Sequence, residues 1–442
     1  MTDSDRTGPD LTGARAAVTV DDPPPVFRRL VGQDEAVATL SAAARAAALI
    51  VASDQAGDAG PGDASSAARG ESPSTAAMTH AWLFTGPPGS GRSVAARAFA
   101  AALQCAQGGC GACADCHQAL AGTHSDVRFV VPAGLSISVK EMRDLVWRAA
   151  GAPVAGRWQV VLIEDADRLT EQASNALLKA VEEPSPRTVF LLCTPSLHPD
   201  DISVTIRSRC RTVVLRTPPA SAVAEMLVSE GHDPDTAAWA AAAAQGHIGR
   251  ARWLARDEGA RQRRSAVLAV PRQLTNIGAC FDLARILVEA AEAEAKATMS
   301  EVDAKERAEL EVALGAGGTG KGTAAAARAG AAALKELEER QKTRQKRALR
   351  DALDRALVDL AGFYRDVLLH RVGAPVPPVH GDVAAEVAAL AEAWTPESTL
   401  RRLEAVLECR AAIDANVKPQ IAVEAMMVAL WRPEAVSGRT PS

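Results

Sequence analysis

The sequence predicts an α/β protein: a parallel-sheet domain of the phosphate-loop type, carrying a cysteine-bound metal module and followed by helical units. Three observations predict it. Between His80 and Leu215, short apolar runs alternate with helical stretches, the pattern of a parallel sheet covered on both faces. The first run enters a glycine-rich loop that opens a helix. After Pro218-Pro219 the strand signals stop.

Length and composition agree with this division. At 442 residues the chain exceeds what one core serves, so two or three domains are expected. Hydrophobic residues make up 48% and charged residues 23%, as in soluble globular proteins. Alanine is abundant and aromatics are only 3%, with Tyr364 the single tyrosine, a bias that favours helix. The net charge of -5 argues against a chain-wide polyanion footprint but leaves room for a local basic face. The first 25 residues hold charges and prolines without an apolar core, unlike a signal peptide. No uninterrupted apolar run reaches about 18 residues, so no membrane partner and a cytoplasmic location are expected.

In order, residues 1–25 read as a disordered arm, Asp34 to Val51 as a helix, and 51–77 as a flexible Gly/Ser/Asp/Ala-rich insertion. Trp82-Leu83-Phe84, Val127 to Val131, Val160 to Ile163, Val189 to Leu192 and Val213 to Leu215 read as strands. Ser93 to Gln104 reads as a helix; Ser138-Val139-Lys140-Glu141 has capping-box spacing and opens another. A further helix ends at Pro184. Beyond the sheet, 218–265 reads as a small helical unit and 266–432 as a larger one, with 433–442 a tail. Within the larger unit, 288–350 reads as long exposed helices around a mobile glycine loop at 315–322.

Four segments carry chemistry. Gly86-Pro87-Pro88-Gly89-Ser90-Gly91-Arg92-Ser93 fits the phosphate-loop pattern, with backbone N–H groups and a helix N-terminus to cradle phosphate, and Ser93 to hold Mg²⁺. Arg92 stands where lysine is required, and a planar fork does not replace a compact ammonium. Whether ATP or ADP with Mg²⁺ occupies the loop is left open by these residues. Glu164-Asp165, after the apolar run Val160 to Ile163, resembles a Walker B end with its two acids exchanged. Catalysis is sensitive to misplacement of about 1 Å, so this order argues against efficient hydrolysis. Cys105-x4-Cys110-x2-Cys113-x2-Cys116 suits a closed structural Zn²⁺ site, with His117 as a weaker candidate ligand and disulfides or free thiols as alternatives. Gly315 to Gly322 mimics a phosphate loop, but no strand precedes it and Gly322 replaces the hydroxyl.

With these motifs in place, the chain from Val26 to about Arg432 resembles the bacterial clamp-loader AAA+ family of DNA polymerase III. The cysteine quartet after the phosphate-loop helix carries the resemblance, with the helix Asn175 to Pro184 and Ser208-Arg209-Cys210, similar to the family's SRC motif. Leu30-Val31-Gly32-Gln33 looks like the adenine-contacting segment, and Thr194 falls at the sensor 1 position. Gly246-His247-Ile248-Gly249 has glycine where gamma-type subunits carry a sensor 2 arginine, and Arg250 is one position off. Arg92, the acid exchange and that glycine bring the pattern nearer to delta-prime than to gamma/tau subunits. The resemblance implies an AAA+ domain (26–217), a three-helix lid and a helical collar in a hetero-pentameric ring with gamma/tau and delta subunits. It implies loading of a sliding clamp onto primed DNA, no independent catalysis, and Arg209 as an arginine finger on a neighbour's ATP. An active gamma/tau-type ATPase and a non-replicative AAA+ ATPase are the alternatives.

Overall fold

A computed structural model describes residues 23–58, 75–130, 132, 136–314 and 323–432. The expected arm up to 22, insertion residues 59–74, Val131, the 315–322 loop and the 433–442 tail lie outside the described residues.

Five parallel strands form the sheet: β1 (Ala81–Thr85), β2 (Val127–Val130), β3 (Gln159–Ile163), β4 (Thr188–Thr194) and β5 (Arg211–Val214), in the order β2-β3-β4-β1-β5. Their side chains alternate between two buried faces. Trp82, Phe84, Leu162 and Leu191 pack beneath α1 (Asp34–Asp58), α2 (Arg92–Gln104) and α3 (Ala114–Ala121). Leu83, Val161, Phe190 and Leu192 pack beneath α4 (Val139–Ala149), α5 (Glu171–Glu182) and α6 (Val204–Arg207). With both faces covered, the inner strands β1, β3 and β4 are buried along their whole length and read as apolar runs, while edge strands β2 and β5 carry Arg128 and Arg211 and are partly exposed.

Local signals place the helix ends. Ser138 and Glu141 form the expected capping box, each side chain accepting the other's backbone N–H. Thr170 caps α5, and Pro184 follows its last turn. Helix α1 differs from expectation: it continues past Val51 to Asp58. No glycine or proline interrupts Ala52 to Ala56, and Ser53 Oγ donates to Ile50 O at 2.8 Å. By length and composition α1 is also apolar enough to cross a membrane, with mean hydropathy 1.7 over Asp34–Gln55. Leu40, Ala43, Ala44, Ala47 and Val51 are instead buried in the sheet core, as in a core helix.

Three helices follow, α7 (Ala220–Ser229), α8 (Pro234–Ala243) and α9 (Ile248–Arg256), sharing a core of Val223, Leu227, Ala240 and Leu254. The expected junction at 265–266 falls inside α10 (Glu258–Gln273), a continuous helix. Its Ala260 packs with α7–α9, while Val267, Leu268 and Val270 join the next core. That core gathers α11 (Ile277–Ala313), α12 (Thr323–Arg371), α13 (Ala384–Ala393), α14 (Pro396–Asp414) and α15 (Pro419–Trp431). Helix α12 has 49 residues, about 70 Å by helical rise. Its second half is apolar and buried through Leu353, Leu357, Leu360, Phe363 and Tyr364. Its first half lies along α11 on ion pairs, with Arg344 on Asp303 at 2.5 Å and Glu306 at 2.7 Å.

Candidate nucleotide cleft and cysteine cluster

The strand register assembles the cleft. Thr85 of β1 is level with Thr194 of β4, and Ile163 of β3 is level with Leu192. Gly86, Glu164 and Thr194 therefore gather at the carboxyl edge, beside the point where the strand order reverses, where open α/β sheets bind ligands. Gly89 and Gly91 have φ of 85° and 94°, the left-handed region that favours glycine. Helix α2 then starts at Arg92 with no side-chain cap, so its first N–H groups are available to an anion. Beyond the loop is a polar cleft of about 890 Å³ between the sheet edge and the helical region.

The acids at that edge are held by arginines of the same chain. Glu164 Oε1 accepts from Arg97 Nε at 2.9 Å and Nη2 at 2.6 Å, and the guanidinium also lies 4.5 Å from the Phe129 ring centroid. Asp165 Oδ2 accepts from Arg347 Nη2 at 2.5 Å, while Arg347 Nη1 donates to Pro132 O at 2.6 Å. Arg168 stands 3.8 Å from the same carboxylate. Arg92 lines the cleft with Nη1 buried and unpartnered. Ser93 is half-buried at the second position of α2. Thr194 is fully buried and donates to Ser196 O at 3.1 Å. Gln33, in the segment likened to an adenine contact, donates to Arg216 O at 2.6 Å and accepts from Arg216 N at 3.0 Å.

Sequence reasoning named His247 and Arg250 but missed the long-range contacts at and behind this cleft. His247 caps α9, its Nδ1 accepting from Arg250 N at 3.2 Å. Its ring lies so close to Gly89 that a Cβ there would collide with it. Burial, then the Arg250 charge, pushes the His247 imidazole below its ordinary range, toward the neutral form. Arg250 does not enter the cleft as a free cation. Its Nη2 donates to both oxygens of Asp359 on α12 at 2.5 Å. The sequence clue was Gly246-His247-Ile248-Gly249, whose missing arginine marks the place; Arg347 and Asp359 had no local clue.

Arg209 lies elsewhere. The pairing of Arg211 with Trp82 puts it at the amino edge of the sheet, opposite the phosphate loop. Its Nη2 is 2.6 Å from Glu182 Oε1 and its Nη1 donates to Thr205 O at 2.9 Å.

The cysteine cluster hangs between α2 and α3. Cys105 follows the last turn of α2, Cys113 caps α3, and the four Sγ atoms lie within 4.8 Å of one another. Cys105 Sγ is 3.6 Å from Cys110 Sγ and 3.7 Å from Cys113 Sγ. Disulfide sulfurs are about 2.0 Å apart, whereas Zn–S bonds of about 2.3 Å place tetrahedral sulfurs about 3.8 Å apart. Backbone N–H groups of Gln107, Cys110, Gly111 and Cys116 point at the sulfurs, as thiolates require. The hydrogen bond from the Cys116 side chain, with the N–H groups of Cys110, Gly109 and Gln107, outweighs burial and pulls the Cys105 thiol well down. These four residues fit a metal; His117 is not among them.

Comparison with known proteins agrees with this geometry. Residues 70–219 match the family described as DNA polymerase III, delta subunit. DNA polymerase III subunit delta' of Pseudomonas aeruginosa is 41% identical over 154 residues, 34% of this chain and 46% of that one. Over this segment the chain is similar to DNA polymerase III subunits of the delta' kind. Subunit delta' of Bacillus subtilis is 32% identical over 36% of this chain and 49% of its own. Subunit gamma/tau of Mycobacterium tuberculosis H37Rv is 35% identical over 34% of this chain and 26% of its own. The match thus spans about half the length of the delta' relatives, and the clamp-loader likeness is that of the sheet segment.

Proposed function

We propose that the chain is a delta-prime-type clamp-loader subunit that does not turn over ATP itself. The observation that carries this is the capture of both catalytic-edge acids by arginines of the same chain, Glu164 by Arg97 and Asp165 by Arg347. A carboxylate so paired is not free to hold Mg²⁺ or polarise water, and Arg92 replaces the lysine that would neutralise phosphate. Gly86, Gly89, Gly91 and Ser93 still supply a phosphate cradle, so ATP or ADP with Mg²⁺ can be retained without hydrolysis.

The reading divides the chain into an AAA+ domain at 26–217, a lid at 218–265 and a collar at 266–432, in a cytoplasmic hetero-pentamer with gamma/tau and delta subunits. The complex would place a sliding clamp on primed DNA. Cys105, Cys110, Cys113 and Cys116 would hold Zn²⁺, which supplies only cross-linking in such a closed set. Arg209 would leave Glu182 and stabilise charge on the ATP of a neighbouring subunit, since a fixed, forked cation suits a developing γ-phosphate charge.

Reconstitution tests the assignment. With Arg209→Ala, the complex assembles and keeps its zinc, but its DNA-dependent ATPase falls by at least about tenfold; a supplied arginine is worth up to about 10³ to 10⁵ at the site it serves. Normal clamp loading by that complex would remove the finger from the account.

A further inference from the structure

Helices α9, α10, α11 and α12 surround a cavity of about 210 Å³. Protein interiors are normally filled to the density of organic crystals, and a cavity of about 150 Å³ already takes up a benzene molecule. Here Ala291, Ala352 and Ala356 line the walls and leave the room. Ile286, also on the wall, is half exposed, so the space reaches solvent along α11. Its two ends differ in character. In α10 Arg263-Arg264 precede Val267 and Val270, and in α11 Leu283 and Leu287 precede Glu294. The chain turns back at 274–276, so the charged residues share one end and the apolar ones the other. At the charged end, Glu294 pairs with Arg263 at 3.0 Å and with Arg355, and both guanidiniums lie over the Trp253 ring. Arg250 pairs with Asp359 and Arg264 with Asp382, each at 2.5 Å, and both arginines are less than a tenth exposed.

That charged end is incompletely satisfied. The Nε–H groups of Arg250 and Arg264 have no hydrogen-bond partner among the described residues, and Arg264 Nε stops 3.7 Å from Asp359 Oδ1. Buried donors in native proteins are nearly always paired. Among the described residues that line the space, four guanidiniums face two carboxylates, and Asp382 behind Arg264 is a third, so one positive charge is left over. We propose that the cavity is a binding site for a monocarboxylic acid with a compact apolar body. The carboxylate lies at the Arg250–Arg264 end, where forked donors suit its two oxygens, and the body lies against Val270 and Leu287. A single negative charge matches the excess, whereas a dianion would be buried unpaired. The site is separate from the phosphate loop and does not rest on the non-hydrolysing reading.

Calorimetric titration of the full chain with octanoate, octan-1-ol and acetate tests the site. Octanoate saturates one site per chain with a dissociation constant below about 1 mM. Octan-1-ol has the same body without the charge and binds at least about tenfold more weakly, the worth of a hydrogen bond to a charged group. Acetate has the charge without the body and does not saturate. Ala291→Leu fills the space and weakens octanoate by at least about tenfold, since a packed wall leaves no volume for the chain. Should that variant fail to fold, the ranking of the three ligands on the wild type carries the test. Octan-1-ol binding as tightly as octanoate, octanoate failing to saturate by about 1 mM, or undiminished octanoate affinity in folded Ala291→Leu overturns the site. No nucleotide enters these titrations, so the clamp-loader assignment stands or falls separately.

Discussion

Arg97 holds Glu164 by donating Nε and Nη2 to a single carboxylate oxygen, at 2.9 and 2.6 Å. Arg97 lies on α2 five positions after Arg92, and Glu164 stands at the Walker B end of β3. Glu164 is only 16% exposed, so the pair is partly buried. Arg97→Ala leaves a partly buried carboxylate unpaired and lowers unfolding stability at pH 7 by about 1–3 kcal/mol, read from urea denaturation. Arg97→Lys recovers only part, because an ammonium cannot give the two-pronged contact. A loss below about 0.5 kcal/mol, typical of a surface pair, would show that Glu164 is not held as described.

The cysteine cluster makes a metal-dependent prediction. Purified protein contains one zinc per chain, and chelation destabilises the α2–α3 junction. If free zinc is a thousandfold above its dissociation constant, the ion contributes about 4 kcal/mol. Cys110→Ser lowers zinc content and melting temperature together. Zinc-free protein of unchanged stability would count against the site.

His380 predicts a pH dependence. It is fully buried, with Nδ1 3.0 Å from Asp366 Oδ2 and Nε2 3.8 Å from Asp359 Oδ1. It fits against α12 because Gly362 has no side chain there. Burial and the Arg264 charge push its imidazole down, but the two aspartates outweigh them and hold it above the ordinary 6.5. A raised folded value means the charged form stabilises the fold fully below pH 6.5, and that contribution fades as pH rises through the folded value. His247 has the opposite sign: its lowered value makes stability fall as pH drops below 6.5. The His380 effect is therefore read as a difference. The stability gap between wild type and His380→Gln is largest below pH 6.5 and narrows toward pH 8. One group changes this gap by at most about 1.4 kcal/mol per pH unit. A gap that stays constant from pH 5.5 to 8 would contradict the raised imidazole, pH values chosen to bracket about 6.5.

The parts of the fold that depend on neighbours in sequence could be read from residues alone. Buried strands are short apolar runs, Ser138 and Glu141 sit at capping-box spacing, and the cysteines declare themselves by interval. The end of α1 was misjudged because no breaker stands before Gly57: the exposed stretch from Ala52 to Gln55 continues the helix on local propensity, although its polar composition reads equally as loop. The cleft's electrostatics were out of reach for another reason. Arg347 is 182 residues from Asp165, and Arg250 is 109 from Asp359. No local pattern marks such pairs, because an arginine on a charged helix looks the same whether it faces solvent or an acid in another core. The exchanged acids at 164–165 announced a degenerate edge; what now occupies it came from α2 and α12.

The most direct test of the central claim is ATP turnover by the isolated, zinc-loaded chain. The account expects no hydrolysis above that of a Ser93→Ala control, because Glu164 and Asp165 are held by Arg97 and Arg347. Turnover near about 1 per second, an ordinary enzyme rate, that disappears in Ser93→Ala would contradict it.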